Sequence, residues 1–206
     1  EGLLENVNSD EENRRFYAEV ILDETNKMDR LVKQLLELMK LEYGKREFQD
    51  KEFNIVELEK EIVRKSQVML EEKNIEIKFQ TMDEITVFAD DFYIEQVISN
   101  YLTNAIKHIK ELDGEKYIQI KNEVDIEKNK VRVKVFNTGD TIKEENIARI
   151  WNRFYKMDES RNREDGGTGI GLSFVKAIMS NYGNEYGVVN RDNGVEFYLE
   201  LNRKIE

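Results

Sequence analysis

The chain has 206 residues, with 32 Lys and Arg against 43 Asp and Glu, so its formal net charge is −11. This length allows one domain of ordinary size with a smaller attached element. The acidic balance argues against unaided binding to nucleic acid or to an anionic lipid surface. The chain has no Cys, which excludes disulfides, thiolate nucleophiles and zinc-thiolate sites. Because nothing indicates an oxidising compartment, we expect the protein to be located inside a cell.

The single His of the chain, His108, limits the chemistry that the sequence can support. No second His stands at a metal-binding spacing and no GxSxG turn is present, so transition-metal sites and Ser-His-acid hydrolysis are disfavoured. No apolar run approaches the length of about 20 residues that crosses a bilayer. We therefore expect a soluble chain that does not itself cross a membrane.

The first element is a helical pattern over residues 10–43. Apolar residues recur there at three- and four-residue steps among charged ones, which predicts one long amphipathic helix. Met28 and Leu35, with Leu31 and Leu38, give two turns of a heptad-like seam. The seam favours pairing with another chain or with a further helix; the alternative is an ordinary amphipathic helix that packs on its own domain.

A change of pattern at Gly44 marks the predicted domain boundary, between residues 1–43 and residues 44–206. Residues 1–7 resemble the last turns of a preceding helix, so the first part is interpreted as a truncated helical hairpin. The second part mixes helical and strand periods, which favours an α/β layer architecture. We expect helices over 56–72, 94–109, 143–153 and 170–182, and strands over 53–55, 75–79, 85–88, 117–124, 131–136, 185–190 and 195–201.

Polar residues follow one edge of the helix near residue 100. At 100° per residue Asn100, Asn104 and His108 form a row beside the apolar stripe, with Lys107 next to it. Such amides are often merely hydrogen-bonded and half-buried. They also suit a neutral oxygen ligand for a hard cation, with the lysine as a point charge for phosphates.

A glycine-rich run, GGTGIGL over residues 166–172, opens the last long helix. Its glycines let the backbone approach a ligand, and the helix N-terminus presents N–H groups to phosphate. It is neither a P-loop, since no GK[ST] follows, nor a Rossmann turn, since no strand precedes it. A polar loop over 155–168 leads into it, and its length of about fourteen residues indicates function rather than a passive connection.

Two further motifs lie between these helices. In VFNTGDTI, residues 135–142, a strand ends at Asn137 and is followed by a Gly turn. The motif is either a plain connection to the next helix, or it places the Asn137 amide to form hydrogen bonds with the edge of a base. In RFYKMDESR, residues 153–161, aromatic and basic residues alternate. Those aromatics either anchor the loop to the core or contact a ligand.

The order of the four motifs resembles the four nucleotide-binding boxes of bacterial sensor histidine kinases. The resemblance spans about residues 53–201, and the form of its motifs is most similar to sensor kinases of the vancomycin-resistance type in low-GC Gram-positive bacteria. It implies a two-layer α/β sandwich of the histidine-kinase and gyrase type, with a mixed sheet and helices on one face, preceded by a long helix. Residues 1–43 then resemble part of the family's dimerisation and phosphotransfer hairpin.

The resemblance also implies residue roles. Asn104 would hold Mg²⁺, Asn137 and Gly139 would face adenine, and Phe154 would pin the loop. For catalysis it implies Asn100 alone, because the family's phosphate-accepting His lies on a hairpin helix that this chain does not contain. The residues implied to bind ATP are Asn100, Asn104, Lys107, His108, Asn137, Gly139, Ile142, Phe154, Tyr155, Lys156, Arg161, Gly167, Thr168, Gly169, Ile170, Gly171 and Leu172.

Three positions depart from the family pattern. Asn137 replaces an Asp that accepts from the adenine amino group, so its neutral carbonyl should form a weaker bond. Thr141 stands where a second Gly is usual, and Val195 where a hydroxyl residue is common.

The implied activity is that of a protein histidine kinase, which transfers the γ-phosphoryl group of ATP to a His and then to an Asp of a response regulator receiver domain. The resemblance also implies a homodimer through the hairpin helices of the parent, and a cytoplasmic domain whose parent reaches the cell membrane only through a part that precedes this chain. This chain alone is not expected to autophosphorylate. Two alternatives remain: a catalytically weak nucleotide-binding regulatory or phosphatase module, and an ATPase of the gyrase and chaperone superfamily. The ATPases of the gyrase and chaperone superfamily usually carry Glu where Asn100 stands, to activate water. Because an amide is a poor general base, Asn100 favours the kinase.

Overall fold

A computed structural model describes residues 11–44, 47–81, 84–112, 114–156 and 168–204. The helices are α1 Glu11–Glu42, α2 Ile55–Lys65, α3 Gln67–Glu72, α4 Asp91–His108, α5 Glu144–Ile147 and α6 Gly171–Tyr182. The strands are β1 Lys51–Asn54, β2 Glu76–Gln80, β3 Thr86–Ala89, β4 Tyr117–Asp125, β5 Lys130–Thr138, β6 Tyr186–Arg191 and β7 Gly194–Asn202. The order of helices and strands agrees with the α/β prediction from the sequence.

Five strands form a mixed sheet in the order β2-β4-β5-β7-β6, in which only the β2–β4 pair is parallel. Strands β1 and β3 form a separate antiparallel pair. The residues of β5 alternate between a buried face, with Val131, Val133 and Val135, and a charged face. This period of two places α4 on one side of the sheet and leaves the other side to ion pairs such as Arg132 with Glu200.

Helix α4 is the central helix of the layer. It begins at the cap residue Asp90, whose carboxylate accepts from the backbone N–H groups of Phe92 and Tyr93. Its predicted apolar stripe is buried along the whole helix, from Ile94 through Tyr101 to Ile106. Burial of this stripe determines which way the helix faces, and therefore where its polar edge lies.

Two helix predictions were wrong. The helix predicted over 56–72 is two helices, because Ser66 has ψ near 2° and its N–H bonds to the carbonyls of Ile62 and Val63, which closes α2. The helix predicted over 143–153 is only the single turn α5. Beyond it Trp151 packs edge-on against Tyr186, with ring centroids 5.0 Å apart, and the backbone continues in tight turns.

Smaller differences concern the ends of elements. Ile109, predicted within the helix, is the residue after α4 and is extended. Strand β5 continues to Thr138, so Asn137 lies inside the strand rather than at its end. The closing strands pair as predicted, with Tyr186 opposite Leu199.

The chain divides into two compact units, residues 1–40 and residues 41–206. The described part of the first unit is helical and carries exposed ion pairs at helical spacing, such as Arg15 with Glu19 and Lys33 with Asp29. Met28, at 65% exposure, and Val32, at 54%, lie open to solvent. None of the helices in the described ranges has an apolar stretch of the length that crossing a bilayer requires. The interpretation of residues 1–43 as part of a phosphotransfer hairpin stays a prediction.

Candidate functional site

The polar edge of α4 provides one wall of the candidate site. Burial of Tyr101 and Ala105 leaves Asn100 and Asn104 half-buried at the margin of the stripe, one turn apart. Lys107 and His108 follow on the exposed side of the last turn. The four polar residues therefore lie where the sequence placed them relative to the apolar face.

Asn100 joins α4 to the start of α6. Its side-chain nitrogen donates to the carbonyl of Gln96 at 2.8 Å. Its side-chain oxygen lies so close to Gly171 that a Cβ atom on this glycine would be 2.4 Å from Oδ1. The absence of a side chain at Gly171 therefore lets the first turn of α6 approach the α4 edge.

The end of β5 reaches the end of α4. Gly139 has φ of 148°, and a Cβ atom there would be 2.8 Å from the carbonyl oxygen of His108. The backbone N–H of Lys110 donates to the carbonyl of Thr138 at 3.0 Å. These two contacts bring the polar edge of α4 and the Asn137 turn to the same place.

Asn137 is buried at 3% exposure, and its amide nitrogen donates to the carbonyl of Thr138 at 3.0 Å. In this orientation Oδ1 is left as the acceptor group of the side chain. Asn137 thus presents an uncharged acceptor at the position where the resemblance implies an Asp. Thr138 is itself held, since its hydroxyl accepts from the N–H of Tyr117 at 3.3 Å.

The β6–β7 hairpin closes this end of the sheet. A Cβ atom on Gly194 would be 2.0 Å from the carbonyl oxygen of Asn137, so only glycine fits there. The N–H of Gly139 donates to the carbonyl of Asn193 at 3.1 Å. The sequence showed a hairpin here, but it did not single out Asn190, which bonds to both backbone groups of Ile142.

The two ends of the predicted loop meet at Phe154 and Gly169. The N–H of Phe154 donates to the carbonyl of Gly169 at 2.8 Å, and a Cβ atom on this glycine would be 2.8 Å from the Cα of Phe154. Both residues have left-handed backbone angles, with φ of 61° and 69°. The Phe154 side chain is 58% exposed. Phe154 and Gly169 therefore form a narrow neck at the base of the loop.

Of the other predicted loop residues, three lie within the described ranges and two lie outside them. The hydroxyl of Tyr155 donates to Oδ1 of Asn146 at 2.7 Å, Lys156 is exposed, and the hydroxyl of Thr168 accepts from the N–H of Ile170. Arg161 and Gly167 lie outside the described residues, as does most of the loop predicted over 155–168, so its predicted mobility stays a prediction.

Charge at the site comes from helix ends and single side chains. Helix α6 has no side-chain cap: Ile170, which precedes it, is buried, and Leu172 is half-buried. Its first N–H groups are therefore available to an anion.

Within the described residues no three His, Cys, Asp or Glu side chains cluster as metal ligands. A cavity of about 450 Å³ lies elsewhere along α6, lined by residues such as Trp151 and Lys176, and it contains none of the predicted site residues.

Comparison with known families gives a match over residues 89–205 to the family described as histidine kinase-, DNA gyrase B- and HSP90-like ATPase. The sensor histidine kinase CusS of Escherichia coli is 28% identical over 87% of this chain and 36% of CusS. The sensor protein VanSC of Enterococcus gallinarum is 24% identical over 91% of this chain and 50% of VanSC. The chain thus spans between about a third and a half of these relatives.

Solved structures show the same similarity. The catalytic domain of histidine kinase ThkA superposes with a TM-score of 0.65 at 33% identity, over 77% of this chain and 97% of that domain. ThkA in complex with the response regulator protein TrrA gives 0.71 at 29% identity, over 97% of this chain and 54% of ThkA. Full-length ShkA in complex with AMPPNP gives 0.79 at 25% identity, over 99% of this chain and 42% of ShkA.

Proposed function

Because the chain belongs to the histidine kinase-, DNA gyrase B- and HSP90-like ATPase family, and within it to the histidine kinase catalytic domains, we propose that it binds Mg·ATP for phosphoryl transfer to a His. In this proposal the acceptor lies on a dimerisation hairpin of the parent protein. The phosphoryl group then passes to an Asp of a response regulator receiver domain. The complexes of ThkA with TrrA and of ShkA with AMPPNP support the choice of partner and nucleotide.

One observation carries the proposal: glycines from two separate motifs approach the two ends of one polar helix edge. Gly171 lies against the side chain of Asn100, and Gly139 lies against the backbone of His108. Between these contacts Asn104 and Lys107 line the edge of α4. Residues that are distant in sequence are thereby brought to a single surface with an amide wall and an uncapped helix N-terminus.

The proposed roles follow the chemistry of each end. Asn137, Gly139 and Ile142 take the base, and the turn from Thr168 to Leu172 takes the phosphates at the start of α6. Lys107 and His108 lie along the phosphates and sugar. Phe154 pins the loop, and Tyr155, Lys156 and Arg161 are proposed to contact the nucleotide from it. A bound nucleotide would be held by positioning and charge, not by covalent chemistry in this domain.

Asn104 fits the proposed Mg²⁺, because an amide oxygen is a hard neutral ligand. Mg²⁺ in such sites keeps several waters and is shared with substrate phosphates, so a single protein ligand is sufficient. The ion would neutralise charge on the phosphates during transfer. Asn104 would hold it at the half-buried edge of α4, one turn from Asn100.

Asn100 supports phosphoryl transfer over hydrolysis. A hydrolase needs a base to activate water, and an amide has no such basicity. In the structure the Asn100 nitrogen donates to Gln96 and its oxygen lies against Gly171. Asn100 is therefore proposed to link α4 to the phosphate turn. Dimerisation of the parent and its attachment to a membrane stay predictions.

Calorimetric titration of Mg·ATP into the wild-type chain and Asn104→Ala tests the proposal. We expect the substitution to weaken binding at least tenfold, or about 1.4 kcal/mol, because it removes a metal ligand. The exposed neighbour Thr103 on the same helix provides the control Thr103→Ala, which should bind as the wild type does.

Repeating the titrations in EDTA separates metal binding from other effects. The difference between the wild type and Asn104→Ala should disappear without Mg²⁺. An equal loss with and without the metal would remove Asn104 as its ligand, and absence of Mg·ATP binding to the wild type would refute the proposed function.

A further inference from the structure

Asn190, near the end of β6, holds both backbone groups of a single residue on another segment. Its Oδ1 accepts from the N–H of Ile142 at 2.9 Å, and its Nδ2 donates to the carbonyl of Ile142 at 2.7 Å. The two residues are 48 positions apart in the sequence. A side-chain amide has one donor side and one acceptor side, so Asn satisfies this pair with one side chain.

Ile142 needs such a partner because of where it lies. Residues 140–143 form no helix or strand, and Ile142 is buried at 7% exposure. Buried backbone groups outside regular structure require hydrogen bonds from elsewhere. Asn190 provides both bonds from the rigid β6–β7 pair, where it lies opposite Val195.

The same hairpin also holds the beginning of this segment. The N–H of Gly139 donates to the carbonyl of Asn193, and Gly194 lies against the carbonyl of Asn137. The turn from Asn137 to Ile142 is thus attached to the hairpin at both ends. A displacement at Ile142 would be transmitted to the face of the turn that carries the Asn137 acceptor.

We propose that Asn190 is a positioning residue for nucleotide binding, which acts by holding the 137–142 turn in the geometry that receives the base. This inference rests on the proposed function, since it assigns the turn to the base end of the site. Asn190 is not required to touch the nucleotide. Its contribution is that the turn is formed before the ligand arrives, so that binding does not have to order it.

The test measures the affinity of the Asn190→Ala variant for Mg·ATP by calorimetry, after the wild-type chain has been titrated as the reference. We expect a loss of at least fivefold. Asn184→Ala is the matched control: Asn184 is buried, Asn190 is half-buried, and Asn184 precedes the opposite end of β6, where it accepts from Lys130. This control should keep the wild-type affinity. Asn190→Asp retains the acceptor for the Ile142 N–H and should recover part of the loss.

A double-mutant cycle distinguishes positioning from general destabilisation. Asn190→Ala should cost much less affinity in an Asn137→Ala background, because the residue through which it acts is gone. It should cost its full amount in an Asn104→Ala background, at the metal end. Amide exchange by NMR should show faster exchange of the Ile142 N–H in Asn190→Ala.

Three outcomes would overturn the inference: unchanged Mg·ATP affinity in Asn190→Ala, additive losses with Asn137→Ala, or an equal loss in Asn184→Ala. If the wild-type chain itself fails to bind Mg·ATP, the proposed function fails first and the variants are not needed. If Asn190→Ala does not fold, the cycle is measured with Asn190→Asp, and the same additivity criterion applies.

Discussion

Glu59 shows how strongly a single buried group is governed by its surroundings. Its side chain on α2 is fully buried, and Oε2 accepts from Nδ2 of Asn122 at 3.0 Å. Within the described part of the chain, Glu59 Oε1 and Asn122 Oδ1 are buried without a hydrogen-bond partner. Burial raises the pKa of Glu59 to about 8, against the opposing hydrogen bond from Asn122. A protonated carboxyl has one donor, which suits the acceptor oxygen of Asn122.

This pKa predicts a pH-dependent stability. Between the unfolded value of 4.5 and the folded value of about 8, the folded state holds the extra proton. The contribution of Glu59 is therefore fully present below pH 4.5 and is lost as the pH rises through about 8, at up to about 1.4 kcal/mol per pH unit. Urea unfolding between pH 5 and about 9 should show this decline in the wild type and a flatter profile in Glu59→Gln.

Glu57→Gln is the control, because Glu57 lies on the same helix with its side chain 64% exposed beside Lys60. Its profile should follow that of the wild type. Parallel pH profiles for the wild type and Glu59→Gln would show that Glu59 is ionised in the folded chain throughout this range.

Gly169 and Gly183 have similar backbone angles but different surroundings. Gly169 lies where two chain segments meet, and Gly183 lies at an ordinary helix end. Gly169, with φ of 69°, lies against the Phe154 backbone just before α6, whereas Gly183, with φ of 63°, follows α6 with nothing within 4 Å of a Cβ atom. Ala at either position carries the left-handed penalty of about 1–2 kcal/mol. Only Gly169→Ala should add a clash with backbone atoms.

We therefore predict that Gly169→Ala lowers the free energy of unfolding by about 1–3 kcal/mol more than Gly183→Ala does. Gly169→Ala should also weaken Mg·ATP binding, since the start of α6 would have to move. Denaturant unfolding and calorimetry of the two variants measure both effects. Equal losses in the two variants would mean that the neck at Phe154 and Gly169 tolerates a methyl group.

The whole chain has one imidazole, His108, and it lies on the site helix rather than in the first unit. Incubated alone with labelled Mg·ATP, the chain should acquire no stable phosphohistidine. A separate polypeptide with a complete hairpin and its His should become labelled when it is added, at a rate limited by docking. Gel analysis of the acid-labile label measures both, with Asn104→Ala as the inactive control.

Label on His108 would contradict the role given to α4. Tight Mg·ATP binding without transfer to a supplied hairpin would instead favour the non-catalytic module and direct attention to Asn137. Transfer to the supplied hairpin would support the kinase, so this assay separates the kinase from the non-catalytic module.

Local patterns in the sequence were enough for the α/β architecture, for α4 and its polar edge, and for the four motifs in order. The helices and strands repeat with a fixed period, and each motif is a short run of particular residue types, so residues close in sequence carry the information. The helix break at Ser66 and the early end of α5 were missed. At Ser66 the helix ends through hydrogen bonds to its own last turn. Beyond α5, local propensity favoured a helix, whereas Trp151 packs on Tyr186 and the backbone turns.

Contacts between distant segments were decided by the tertiary structure alone. Asn190 meets Ile142 across 48 residues, and Glu59 meets Asn122 across 63. The sequence predicted a turn at Gly139 and a close backbone approach to a ligand at Gly171. The protein groups that these glycines contact, His108 and Asn100, depend on how the sheet and helices pack. The physical reason is that a periodic pattern specifies which face of an element is buried, whereas a hydrogen bond between two elements requires both to be placed within a fraction of an ångström.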